Sequence, residues 1–321
     1  MKNRVVIYLI FFQLIIIACF IFNIYNKKSL VLGSTTIEPI LKGEIISTPS
    51  SKLKFFYEPK PHSNDPGTLF AEGEIAAKYN INNDSLNDRY DYQPIKKDKT
   101  YRIITLGSSF TFGLYVNTED NWTEILEDSL NKKLKCTDIN RFEVINLGYR
   151  GYDNSYVVER FKRRGQKYDP NLIIWLQTPF LVPVEKTRSL TEKYYRPIKK
   201  TNLSQEVKTK EYIKASVKAR EKVLANLGMA KIIDMQKELI LSITDFYKGP
   251  LILFVSPGMS QDEKAVVKAS VSARNNWLYS DTILSFTKFD DGHPDNNGHR
   301  MIAEDMFNYV TKYMLENCQK Q

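Results

Sequence analysis

Cysteine and histidine are scarce in these 321 residues, with three of each: Cys19, Cys136 and Cys318; His62, His293 and His299. No C-x-x-C pair occurs, which argues against thioredoxin-like redox chemistry and paired-cysteine zinc sites. A mechanism that needs imidazole has only three positions to draw on. A Gly-Lys-Ser/Thr phosphate loop is absent, and so are an RNP-like stretch and an arginine-rich arm. Nucleotide and nucleic-acid binding therefore have no motif behind them. G-x-S-x-G is missing too, because Thr111 stands where the second glycine would follow Ser109. There is no internal repeat, and no cofactor is expected.

Hydrophobic residues make up 42% of the chain and charged residues 26%, which is enough apolar material for a packed core. The net charge of +9 is compatible with an anionic membrane surface or an acidic polymer. Read along the chain, Lys and Arg are scattered, and the plain expectation is a solvated basic surface.

Val5 to Tyr25 is apolar except for Gln13 and Asn23, with Lys2 and Arg4 before it and Lys27 and Lys28 after it. About 20 such residues span a bilayer core of roughly 30 Å as a helix. Residues 1–28 are therefore read as a transmembrane signal anchor, with the rest of the chain exported. The alternative is a lipoprotein: Ile16-Ile17-Ala18-Cys19 resembles a lipobox, although the apolar run continues past Cys19. Either reading puts the bulk of the chain in an oxidising compartment, where a Cys136–Cys318 disulfide is allowed.

Residues 29–100 read as a stalk and lead-in of loops and short strands. From Tyr101 the pattern changes to short β-branched runs alternating with helical stretches. The strand candidates are Arg102–Leu106, Phe142–Leu147, Leu172–Leu176, Leu251–Val255 and a weaker Trp277–Tyr279. Helices are expected over Asn121–Leu134, Tyr156–Gln166, Glu263–Ser272 and Gly298–Glu316. This alternation predicts an α/β domain over 101–321, a parallel sheet with helices on both faces. The interval of about 181–242 is too long for one crossover and reads as a helical insertion, either covering a site or standing as a solvated hairpin.

Leu106-Gly107-Ser108-Ser109-Phe110-Thr111-Phe112-Gly113 follows the first of these strands, at the end where open α/β sheets place ligands. Near the C-terminus stands Phe289-Asp290-Asp291-Gly292-His293-Pro294-Asp295. A serine hydroxyl needs a base, and a histidine base needs a carboxylate to fix its tautomer. Ser109 is thus the candidate nucleophile, His293 its base and Asp290 the orienting acid, with Asp291 as the rival acid. His299 is the rival base, disfavoured because positive charge is unfavourable in the first turn of a helix. His62, in a proline-rich segment, reads as a surface residue. A metal site built from Asp290, Asp291, His293 and Asp295 is the disfavoured alternative, and no metal is expected.

These blocks, together with Asn146-Leu147-Gly148-Tyr149-Arg150-Gly151 between them, resemble the SGNH/GDSL hydrolases over about residues 101–321. The resemblance implies a three-layer flavodoxin-like fold and an oxyanion hole built from the N–H groups of Ser109 and Gly151. Two departures stand out. Ser108 replaces the family's aspartate before the nucleophile, and the third block lacks its oxyanion asparagine. Gln177 carries an amide near that place and is the candidate replacement. In a flavodoxin-like order the first and last helices share a face, which brings Cys136 and Cys318 within reach of each other. The expected function is an extracytoplasmic serine esterase acting on ester-linked acyl groups, with an acylated carbohydrate as substrate and the membrane as tether. Acyl transfer to a glycan hydroxyl and a degenerate binding module are the alternatives.

Overall fold

The computed structural model describes residues 45–63 and 77–318. The apolar segment Val5–Tyr25 and the signal-anchor reading lie outside them. Among the described residues no helix is long and apolar enough to cross a membrane.

Five parallel strands form the sheet: β3 (Thr100–Leu106), β4 (Arg141–Asn146), β5 (Leu172–Gln177), β6 (Leu251–Val255) and β7 (Trp277–Ser280). Their order is β4-β3-β5-β6-β7. Counted from β3, that is the flavodoxin-like 2-1-3-4-5, with the reversal of strand order between β3 and β5. The expected strands all form, because β5 and β6 are continuous apolar runs buried on both faces.

Helices cover both faces. On one lie α2 (Trp122–Lys133) and α8 (Asn296–Cys318). Trp122, Leu126 and Leu130 recur every four residues and meet Ile302, Met306 and Val310 over Ile103, Val144 and Ile174. On the other lie α3 (Asn154–Arg160), α6 (Met229–Leu241) and α7 (Gln261–Val271). There Tyr156, Ile240 and Val267 pack over Ile104, Trp175 and Leu253. In the insertion, α4 (Val184–Lys199) and α5 (Gln205–Leu227) form a helical hairpin, and α6 is the crossover that returns the chain to the sheet.

Residues before 101 belong to this same core. A two-stranded antiparallel ribbon, β1 (Ile45–Ser47) and β2 (Tyr57–Pro59), brings Phe56 and Tyr57 into the second layer. Buried Glu58 pairs with Arg160 at 2.8 Å and with Arg164 at 2.9 Å, which fixes the ribbon to α3. Further along, Tyr79, Ile81 and Leu86 are buried as well. Asp88 sits there fully buried, accepting the Asn146 main-chain N–H at 3.1 Å beside Glu127 of α2. Burial, and then the Glu127 charge, push the Asp88 carboxyl up to about 8.

Cys136, just after α2, is disulfide-bonded. The Cys318 side chain lies outside the described residues, so the expected pairing does too.

An upward shift on folding means the native state holds a proton that the unfolded chain releases. The stability contributed by Asp88 is fully present below its unfolded value and is lost as pH rises through about 8. Thermal midpoints should therefore decline between about pH 5 and 8.5, and Asp88→Asn should flatten that decline. Scanning calorimetry across this range, with equal slopes for the two proteins as the contrary result, checks it.

Candidate active site

Ser109 opens α1 (Ser109–Phe112), a single helical turn directly beyond β3. The Ser109 carbonyl accepts the Gly113 N–H at 3.1 Å, but so short a turn leaves the carbonyls of Phe110, Thr111 and Phe112 without helical donors. Neighbouring amides supply the missing donors. Asn87 Nδ2 donates to the Phe112 carbonyl at 2.7 Å, and Asn121 Nδ2 to those of Thr111 and Phe112 at 3.0 and 3.2 Å. Asn146 Nδ2 holds Asn87 in place through its carbonyl at 3.0 Å. Gly148 sits against the back of the turn, where a Cβ would lie 2.4 Å from the Phe112 nitrogen, so this contact requires glycine.

His293 comes from the loop before α8. Its Nε2 lies 2.8 Å from Ser109 Oγ, and its Nδ1 lies 2.9 Å from Asp291 Oδ2. A carboxylate only accepts, so Nδ1 carries the ring proton and Nε2 is the acceptor for the serine hydroxyl. The side chain of His293 is 13% exposed.

The carboxylate on His293 is Asp291, which corrects the expectation of Asp290. The reason is local geometry. Phe289 to Gly292 form a turn closed by the Gly292 N–H on the Phe289 carbonyl at 2.9 Å, with Gly292 at φ 90°. Asp290 occupies the outer corner of this turn and is exposed. Asp291 folds forward as an Asx turn: its Oδ1 accepts the His293 main-chain N–H at 3.1 Å while Oδ2 accepts the ring. One carboxylate thus grips both the backbone and the imidazole of the same residue.

Tyr115 is a member of the site that no motif announced. It lies at φ 74°, its N–H donating to the Tyr79 hydroxyl at 2.8 Å. Its own hydroxyl hydrogen-bonds Asp291, and burial and that carboxylate raise its pKa, keeping it a donor. Burial works against ionisation of Asp291, but hydrogen bonds and charge from His293, with the Tyr115 bond, outweigh it and hold the carboxyl below its usual value. The rings of Phe110 and Tyr115 meet His293 edge-on, each with centroids 5.4 Å away. They wall the imidazole on two sides.

The other histidines are elsewhere. His299 is fully buried, its Nδ1 accepting the Trp122 N–H at 3.2 Å, and burial with the nearness of His293 brings its pKa down to about 3. It is a neutral core residue. His62 is exposed. Asp295 accepts the Gly298 N–H at 2.8 Å at the start of α8, away from any cluster; among the described residues no group of acids, histidines and cysteines could hold a metal.

Gly151 lies buried at φ 70° in the loop after β4. Gln177 ends β5, with its Nε2 buried and without a hydrogen-bond partner. It lines a cavity of about 20 Å³ bounded also by Ser108, Thr178, Tyr152 and Asn154. Ser109 is not part of that wall. Ser108 Oγ and Thr178 Oγ1 are 3.1 Å apart and join the β3 and β5 loops across the point where the strand order reverses.

No family model and no curated protein matches the chain. Solved structures similar to it include a two-domain esterase active on acetylated mannans, at 13% identity and TM-score 0.42, over 67% of this chain and 50% of that one. The chain thus spans half the length of that protein. A catalytic variant of an acetylxylan esterase from Geobacillus stearothermophilus is similar at 14% identity and TM-score 0.38, over 67% and 95% of the two chains. A G-D-S-L family protein from Desulfitobacterium hafniense is similar at 18% identity and TM-score 0.33, over 64% and 98%. At such scores the assignment of chemistry rests on the geometry of Ser109, His293 and Asp291. The strand order agrees with the flavodoxin-like fold that the SGNH/GDSL resemblance implies.

The two aspartates separate cleanly by experiment. Asp291→Asn favours the wrong imidazole tautomer and should slow phosphonylation of Ser109 by about a hundredfold or more. Asp290→Asn should leave the rate within about twofold, and Tyr115→Phe, losing one hydrogen bond, should cost about tenfold. Stopped-time labelling with a fluorophosphonate measures all three.

Proposed function

We propose that this protein is a serine ester hydrolase that removes acyl groups from an O-acylated carbohydrate outside the cytoplasm. The observation that carries the reading is the continuous chain Ser109 Oγ–His293 Nε2 at 2.8 Å and His293 Nδ1–Asp291 Oδ2 at 2.9 Å. Ser109 Oγ attacks the ester carbonyl while its proton passes to His293 Nε2. The imidazolium is stabilised by Asp291. His293 then protonates the leaving alkoxide, which departs as the alcohol and leaves an acyl-serine. Water, deprotonated by the same nitrogen, attacks the acyl carbon and releases the acid, restoring Ser109.

The negative charge on the carbonyl oxygen falls to the main-chain N–H groups of Ser109 and Gly151. Ser109 begins α1, so its N–H has no place in the helical ladder. The loop carrying Gly148 and Gly151 abuts that turn. Gln177 would be a third donor on rotation out of its cavity. Loss of a working oxyanion donor costs about 10²–10³ in kcat, so Gln177→Ala distinguishes a third donor from a two-donor site.

Export through the Val5–Tyr25 segment, which stays as an anchor, completes the reading. A disulfide at Cys136 suits that compartment, with Cys318 as the proposed partner.

A fluorophosphonate probe should label the wild type, and neither Ser109→Ala nor His293→Ala at a comparable rate. Release of acetate from an acetylated oligosaccharide should show the same dependence. Absence of labelling in the wild type would instead point to a binding module without turnover.

A further inference from the structure

The net positive charge of this chain is concentrated in one segment. Residues 184–227, the α4–α5 hairpin, hold twelve Lys and Arg against five Asp and Glu, a net +7 of the chain's +9. What reads as scattered along the sequence becomes one basic projection once the two helices fold back on each other.

The arrangement on α5 is ordered. Lys210, Lys214, Lys218 and Lys222 recur every four residues, and all four are exposed. At 3.6 residues per turn and about 1.5 Å per residue they form one row roughly 18 Å long. Like charges at this spacing repel along an isolated helix, so the row disfavours its own helix. Glu206 and Glu211 pair with Lys210 and Lys214 at 2.7 and 2.6 Å, but these are exposed pairs of little strength. Lys218 lies over the Tyr194 ring of α4 at 4.9 Å, with Lys193 and Lys199 exposed on that neighbouring helix.

The flanks of the row decide what it faces. An interfacial helix needs apolar residues beside its basic ones to enter a lipid surface. On α5 the apolar residues Tyr212, Ala215, Ala219 and Val223 are buried and turned away from water. Apart from Val207 near its start, the exposed face carries lysine, glutamate, alanine and asparagine. Such a surface suits a hydrated polyanion rather than a bilayer.

Its position matters as well. The row ends at Lys222 beside Val223, which packs on Val182 at the hairpin root. Val182 lies four residues beyond Thr178, whose hydroxyl meets Ser108 next to the nucleophile. A polymer lying along the row would be led toward the reacting end of the sheet.

We infer that the α5 lysine row binds an anionic polymer, and, resting on the ester-hydrolase reading, that the acylated substrate of Ser109 belongs to this polyanionic class. The contact is charge-driven and falls with salt.

The test uses the full-length chain in phosphatidylcholine nanodiscs and fluorescent polygalacturonate as probe. Wild type should bind at low salt, should bind neutral dextran at least about tenfold more weakly, and should lose at least about tenfold in affinity between low and moderate salt. Lys210→Gln, Lys214→Gln, Lys218→Gln and Lys222→Gln together should weaken binding at least about tenfold, and the matching set of Lys→Arg changes should restore it. Circular dichroism checks that the hairpin stays helical. Should the glutamine set unfold, lysine footprinting of the wild type reads the same surface, with polygalacturonate protecting the four lysines. Binding that the glutamine set leaves intact, or that salt does not move, overturns the inference. So does protection of the row by phosphatidylglycerol nanodiscs and not by polygalacturonate, which would make it a membrane contact. Ser109→Ala should bind the polymer like wild type, so a failure of the esterase reading shows in labelling and a failure of this one shows in binding.

Discussion

A single turn of helix cannot hold its last carbonyls by itself, and Ser109, the proposed nucleophile, stands on one. The amides of Asn87 and Asn121 supply those bonds directly, and Asn146 fixes Asn87. They come from the lead-in, from the start of α2 and from the end of β4, three segments that are distant in sequence. The position of Ser109 thus depends on the docked lead-in. That docking in turn depends on buried carboxyl groups: Asp88 under the β4 backbone and Glu58 between two arginines of the α3 region. Removing the segment before residue 101 would take away a donor to the Phe112 carbonyl and the hydroxyl that holds Tyr115.

Much of the site was legible because the relevant residue types are rare. With three histidines, one buried and one exposed at the edge, His293 had little competition. The strands were legible because β6, and β5 up to Gln177, are unbroken apolar runs, as a sheet buried on both faces requires. Order along the chain then placed Ser109 beyond the first strand and His293 ahead of the last helix.

The rest was not legible for specific reasons. Asp290 and Asp291 differ by one residue, and the choice between them depends on the left-handed backbone of Gly292 and on the Asx turn it permits. Neither can be read from residue types. Tyr115 has no sequence signal, since its role comes from a strained φ and a bond to Tyr79, 36 residues away. The lead-in looked like loops, and its backbone is mostly that, yet its aromatic residues are core. The basic hairpin was hidden by averaging, because a count along 321 residues dilutes what two helices gather on one surface.

The grip of Asp291 on both the main chain and the ring of His293 has a mechanical consequence. Asp291 and His293 are one rigid piece, closed within three residues, whereas His293 and Ser109 are joined across 184 residues by one hydrogen bond. A displacement of the loop before α8 would carry the imidazole and its carboxylate together, changing their distance from Ser109 and leaving their own geometry intact. The Tyr115 hydroxyl on Asp291 and the Phe110 and Tyr115 rings on His293 hold that piece against the segment that carries Ser109, so the imidazole meets the serine with its proton already on the correct nitrogen.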